Sequence, residues 1–288
     1  MHRLLMLFLV AAALAAPAAA QEFKGTLKRV QDTGEFRIGY VPDSPPMSLQ
    51  DADGNPTGYS VVLCRHIANA VKETVGLDEI KLRYVPLILP EERIGAIVDH
   101  EIDIECGPTT ATLSRREKVD FTLLTYITGG AVLSLSGDAI NSVADLSGKT
   151  IAVIRGTTTH AAIRKYIINN DYKITLRMIT SRPEGMELLN ARKVDGFASD
   201  RIMLIGQVAR AADRSRYAIT RDVFSYEPYA LMLARGDTDF RLVADRALAN
   251  LYGTARIRRI FHDWIGRYGE PLPPMVEAMY QYQTVTDE

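Results

Sequence analysis

The stretch Ile104–Thr122, IECGPTTATLSRREKVDFT, decides how this chain reads. An apolar strand through Ile102 and Ile104 runs into Gly107 and Pro108, passes hydroxyls at Thr109, Thr110 and Thr112, and opens a short helix carrying Arg115 and Arg116. Gly107 has no Cβ to hold other groups off the backbone. Thr112 brings an oxygen suited to capping a helix start, and the N–H groups of such a start face any anion in front of them. A guanidinium projecting from the same turn grips a carboxylate through two parallel hydrogen bonds. Alone, the stretch also reads as an ordinary strand-to-helix connection with solvated arginines.

On its N-terminal side strand and helix alternate. FRIGYV from Phe36 predicts a short buried strand, and SPPMSLQDADGNPTG from Ser44 is a turn region where apolar periodicity lapses. Tyr59 to Val75 has helical spacing, with Val62, Ile67, Ala70 and Val71 on one face. IKLRYVPLI predicts a strand, and Pro90 opens a helix through Arg93, Ile94, Ile97 and Val98. This rhythm predicts a mostly parallel sheet covered by helices. Ligands collect beyond the carboxyl ends of such strands, where the Pro42 to Ser48 and Gly107 to Thr112 loops fall.

A second unit begins after Tyr126. VADLSGK leads into the strand IAVI, then into Arg155, Gly156, Thr157, Thr158 and Thr159 and a helix from His160 to Ile168. This repeats the first arrangement of glycine, hydroxyls and helix start, although small polar residues cap helices everywhere. The strand LRMIT, a helix Glu184 to Ala191 and the strand VDGFASD follow, with Asp200 at the carboxyl end. YEPYALMLARGD predicts a strand returning to the first unit, Phe240 to Trp264 a long helix, and PLPPM with the polar tail an irregular end. Crossings near Tyr126 and Ser225 predict a two-strand hinge on which a lobe can close. The expected division is 21–126 and 226–288 for lobe 1 and 127–225 for lobe 2.

The first residues bear on the compartment. His2 and Arg3 precede an apolar run from Leu4 to Ala16, and Ala18 to Ala20 offer a small-residue cleavage site, so residues 1–20 are expected to be a secretory signal peptide. The run is shorter than the roughly 20 residues a membrane-spanning helix needs. The expected mature chain of roughly 270 residues exceeds what one core usually fills. With 47% hydrophobic and 24% charged residues the composition is that of a globular chain, and a net charge of −1 gives no electrostatic case for nucleic acid. Cys64 and Cys106 are the only cysteines. Export permits a disulfide, but two buried free thiols are the favoured expectation.

The order and spacing of GYSVVLC, PEERI, ECGPTT followed by SRR and DFT, ADLSGKTIAV, RGTTT, DGFASD and EPYALMLARGD resemble the family 3 periplasmic solute-binding proteins of amino-acid ABC transporters, most of all the glutamate/aspartate-binding branch. The match runs nearly the full expected mature length. The resemblance implies an α/β, two-lobed clamshell of type II, each lobe a mostly parallel sheet flanked by helices, joined by a two-strand hinge. It implies a periplasmic monomer that captures a small amino acid, acidic or polar, and passes it to a permease. It also implies roles: Arg115 with Thr110 for the ligand's α-carboxylate, Thr158 beside Thr157 closing on it from the second lobe, and Asp200 for the α-ammonium.

The pattern departs at the ligand's side chain. The branch carries a first-lobe arginine where this chain has Val41, whereas a second arginine is matched by Arg93. Pro108 stands where a serine is usual, removing a donor, and Glu184 falls about where the branch has a histidine. A glutamate ligand would then meet one guanidinium instead of two, with an opposing carboxylate near it. Arg93 also reads as a surface helix residue, Glu184 as a helix-start charge, and Tyr229 as a hinge-packing aromatic.

No histidine pair or cysteine pair has metal-ligand spacing, and no P-loop, GxSxG or dinucleotide fingerprint occurs. No cofactor and no catalysis are expected. The alternatives are clamshell enzymes such as cyclohexadienyl dehydratases, where Asp200 or Glu184 would serve as general acid, accessory proteins of periplasmic dehydrogenases, and ligand-sensing ectodomains.

Overall fold

A computed structural model describes residues 22–285; the expected signal peptide lies outside the described residues. In chain order the strands are β1 (Glu35–Tyr40), β2 (Asp43–Ser44), β3 (Ser48–Gln50), β4 (Pro56–Thr57), β5 (Lys81–Pro86), β6 (Ile104–Glu105), β7 (Val119–Thr128), β8 (Gly130–Leu135), β9 (Thr150–Ile154), β10 (Thr175–Ile179), β11 (Gly196–Asp200), β12 (Tyr217–Ile219) and β13 (Glu227–Ala234). The helices are α1 (Gly25–Thr33), α2 (Tyr59–Thr74), α3 (Pro90–Val98), α4 (Leu113–Arg116), α5 (Thr158–Asn170), α6 (Arg182–Asn190), α7 (Arg201–Ala209), α8 (Thr238–Tyr252), α9 (Ala255–Trp264) and α10 (Pro274–Tyr282).

The strands form two five-stranded sheets, ordered β5-β1-β6-β13-β7 and β10-β9-β11-β8-β12, and a small sheet β2-β3-β4. In the first, β1 pairs in parallel with β5 and β6, and β13 runs antiparallel to β6 and β7. In the second, β9 pairs in parallel with β10 and β11, and β8 runs antiparallel to β11 and β12. Each sheet thus has one reversed strand among four aligned ones. Helices supply the covering faces, so the central strands are buried on both sides: β8 is buried along its whole length, and Phe36, Ile38, Leu231 and Leu233 fill the first core with Leu63 and Ile67 of α2.

Two adjacent segments connect the sheets. Between β7 and β8 lies Gly129 alone, and the return passes through residues 220–226 into β13. They are bonded side by side, Phe224 N–H donating to Gly130 O at 2.9 Å and Gly130 N–H to Ser225 Oγ at 3.1 Å. A Cβ on Gly129 would stand 2.5 Å from Ser225 O and 2.8 Å from Val223 Cβ. The glycine is there because two backbones cross at contact distance.

Three expectations need correction. Cys64 and Cys106 are not free thiols: they form a disulfide with Cα atoms 6.3 Å apart, because α2 lies over the end of β6. The C-terminal stretch is not irregular. After Pro273 it winds into α10, burying Val276, Met279 and Tyr280, and Tyr280 Oη meets Tyr59 Oη at 2.5 Å. The helix through Phe240 to Trp264 is two helices, since the chain breaks at Gly253 and Thr254 restarts it by accepting from Arg256 N–H at 3.3 Å.

Candidate functional site

Between the sheets, Arg93, Pro108, Thr110 and Arg115 on one side and Thr157, Thr158, Thr159, Arg182, Ser199 and Asp200 on the other line a single narrow cavity. It holds about 20 Å³, room for about one water molecule. A larger depression of about 500 Å³ around Lys24, Arg29, Arg37 and Asp237 lies at the amino end of β1, away from the carboxyl ends where α/β sheets take ligands.

The first wall is built by the 104–116 stretch. After β6 the backbone folds beside β13, Ala230 N–H donating to Thr109 O at 3.1 Å and Ala111 N–H to Pro228 O at 2.8 Å. Thr112 caps α4 by accepting from Arg115 N–H at 3.2 Å, and the Arg115 guanidinium turns back to donate to Thr110 O at 2.7 Å. Burial, then the neighbouring Arg93 charge, lowers the Arg115 pKa, yet an arginine remains protonated. Arg93 is no surface residue. It is 6% exposed, and its Nη1 donates to Thr109 Oγ1 at 2.9 Å and Glu105 at 3.3 Å. Gly107 is obligatory beside them, because a Cβ would come 2.2 Å from Glu105 Oε1.

The second wall comes from the carboxyl ends of β9 and β11. Thr157 caps α5, accepting from His160 N–H at 3.1 Å; the earlier N–H groups of that helix, at Thr158 and Thr159, have no intrahelical partner because no turn precedes them. Asp200, buried at the end of β11, accepts from Thr159 Oγ1 at 2.6 Å and from the Tyr229 hydroxyl. A carboxylate has about four acceptor positions, so capacity remains. Thr110 Oγ1 and Thr158 Oγ1 meet across the walls at 3.2 Å.

Glu184 is elsewhere. Its carboxylate accepts from Thr180 N–H at 2.8 Å and Thr180 Oγ1 at 3.0 Å, and these bonds hold its pKa below the ordinary value. It is the third residue of α6, its own N–H donating to the capping Ser181 Oγ at 3.4 Å, and does not line the cavity.

Three residues passed over in the sequence belong here. Arg182, the first residue of α6, reaches from the second wall to Ser44 Oγ at 2.8 Å and Asp43 Oδ1 at 3.4 Å. Its signal was its place, two residues past the carboxyl end of LRMIT. Glu105 is fully buried behind Arg93. Glu227 accepts from Thr110 Oγ1 at 2.7 Å and Ser225 Oγ at 2.6 Å, and burial, then the Asp200 charge, raises its pKa. Among the described residues no group of three or more His, Cys, Asp or Glu is placed to hold a metal, and no helix is long and apolar enough to cross a membrane.

The family model described as bacterial extracellular solute-binding proteins, family 3, matches residues 36–267. The chain is 32% identical over 274 residues to the L-glutamate/L-aspartate-binding protein of Pseudomonas aeruginosa, an alignment covering 94% of this chain and 89% of that one. Its fold is similar to a periplasmic binding protein from Brucella ovis with glutathione bound (TM-score 0.74, 24% identity, 92% and 82% coverage). It is also similar to an ancestral amino-acid-binding protein, a precursor of cyclohexadienyl dehydratase (TM-score 0.72, 21% identity, 84% and 100% coverage). Sheet order, hinge and matched span together make this chain a member of the bacterial extracellular solute-binding proteins, family 3.

Proposed function

We propose that the chain is the exported, periplasmic binding component of an amino-acid ABC importer, and that its ligand is an acidic amino acid. One observation carries this reading: a guanidinium and a carboxylate, Arg115 and Asp200, lie on opposite walls of one cavity between two hinged lobes. That charge pattern complements a zwitterion. Arg115, with Thr110 and the free N–H groups at Thr158, takes the α-carboxylate; Asp200 takes the α-ammonium; Arg93 faces the side chain. Pro108 and Thr157 shape the wall. A charge-assisted contact is worth about 1.5–3 kcal/mol, so three or four supply the roughly 8 kcal/mol of micromolar binding. The similarity to a glutamate/aspartate-binding relative supports the acidic class.

The cavity is too small for an amino acid with the lobes this close, so the ligand enters with the lobes apart and closure about the hinge traps it. The closed monomer is what the permease engages. A thermal-shift screen across the amino acids tests the reading. A ligand at 100 times its dissociation constant stabilises the fold by about 2.7 kcal/mol, and acidic amino acids are the expected hits, recovered chemically unchanged. Arg115→Ala should abolish the shift while leaving the unliganded melting curve near wild type. No shift with any amino acid, or turnover of the bound one, overturns the proposal.

A further inference from the structure

We propose that Glu227 makes ligand binding proton-linked: ionised, it takes the Thr110 hydroxyl proton and so presents Thr110 as an acceptor, and the arriving amino acid expels a proton from Glu227 to solvent. The role is one of positioning, and it rests on the amino-acid reading above. Glu227, the first residue of β13, is buried and does not line the cavity, whereas Thr110, Thr158 and Asp200 do. Glu227 accepts from Thr110 Oγ1 at 2.7 Å and from Ser225 Oγ at 2.6 Å. A threonine hydroxyl has one proton and two lone pairs. With its proton given to a carboxylate, Thr110 can only accept, so in the 3.2 Å contact across the walls Thr158 is the donor. The lone pair that remains on Thr110 suits an ammonium, which has three donors and no acceptor. The α-carboxylate is then left to Arg115 and to backbone N–H groups.

The protonated form does the opposite. A neutral carboxyl group has an O–H of its own to donate. Given to Thr110, it frees the threonine proton to confront an ammonium donor to donor. The titratable and charged groups that face Glu227 are Asp200 at the end of β11, Arg115 of α4, and Tyr229 of β13, whose hydroxyl is committed to Asp200. Burial, then the Asp200 charge, favours the protonated form of Glu227. An ammonium set against Asp200 and Thr110 reverses both preferences, because it offsets the Asp200 charge and needs Thr110 as an acceptor. The O–H bond of Glu227 then breaks, its proton leaves to water, and the carboxylate accepts from Thr110. Glu227 thus acts on the ligand through a hydroxyl and touches none of it.

The test is calorimetric titration of L-glutamate and L-aspartate into the wild-type chain and into Glu227→Gln, each first checked by thermal unfolding. Titrations run from about pH 5.5 to about pH 7.5, where the carboxylates of both ligands stay ionised, and each is repeated in two buffers of different ionisation enthalpy. Wild type is expected to release protons on binding, more as the pH falls, and its affinity to rise with pH by up to about tenfold per unit. Glu227→Gln should release none and keep a flat affinity profile, since the amide still accepts from Thr110 but does not titrate. Proton uptake by wild type would mean that Thr110 donates to the α-carboxylate, and overturns the proposal. So does a heat that is the same in both buffers, or a release undiminished in Glu227→Gln, which would put the proton on Asp200. If the variant does not fold, the carboxyl carbon-13 shift of Glu227 in wild type decides: it should titrate in the free chain and stay at the ionised position in the complex, and equal titration in both states overturns the proposal. All these outcomes leave the acidic-amino-acid reading standing. It falls, and the proton linkage with it, if wild type binds neither ligand.

Discussion

Glu227 and Asp200 put two carboxylates in one shielded region, and at the scale of single residues this has a consequence for pH. Burial and the Asp200 charge raise the Glu227 pKa above the ordinary glutamate value of 4.5. A raised acid favours its protonated form in the folded chain, so its contribution to stability is fully present below about pH 4.5 and fades as pH rises through the folded value. Glu227→Gln keeps an oxygen for Ser225 or Thr110 but does not titrate. Its stability relative to wild type is expected to increase from pH 4 to pH 7 in parallel urea titrations. A difference independent of pH would show that Glu227 ionises as an ordinary surface acid. Arg93 and Glu184 carry the complementary lesson. Both were polar helix residues of ambiguous role, and burial beside Glu105 separates the first from the second, which bonds only to its own helix start.

At the scale of elements, the disulfide joins α2 to the residue that follows β6. The chain immediately beyond it, Gly107 to Thr110, is the first wall of the cleft. β6 has only two residues in its ladder, so strand pairing alone holds that turn weakly, and the bridge pins it to a helix buried in the core. With the cysteines 42 positions apart, loop-closure entropy puts the stabilisation at about 4 kcal/mol, an upper figure. Replacing both cysteines by serine should lower the urea midpoint by the equivalent of about 2–4 kcal/mol. Ligand affinity should fall as well, because Thr109 and Thr110 lose their anchor. Intact stability in the double variant would mean that α2 and β6 dock fully without the bond.

For the whole molecule, the property that matters is relative lobe position, and the hinge controls it. Gly129 stands where the returning segment, at Val223 and Ser225, leaves no room for a Cβ. Gly129→Ala is expected to cost about 1–3 kcal/mol, the usual range for overpacking, and to displace the lobes. Small-angle scattering with and without L-glutamate should show a smaller ligand-induced contraction than in wild type. An unaltered contraction and melting temperature would place the pivot elsewhere.

Much of this was legible in the amino-acid order. Alternating apolar runs and capped helix starts specify strand, helix and loop locally, because propensity, capping and periodicity act over a few residues; this is why the alternation of strand and helix in two units and the Gly107 to Arg116 turn could be read directly, while the clamshell was implied by the family resemblance. The disulfide, the helical C-terminus and Arg182 could not. Cys64 and Cys106 are joined because α2 crosses β6, α10 is stabilised by the aromatic groups of Tyr59 and Tyr252 beneath it, and Arg182 reaches the cleft because a loop 138 residues earlier meets it there. Contacts at such separations depend on how whole elements stack, and only the tertiary structure decides that.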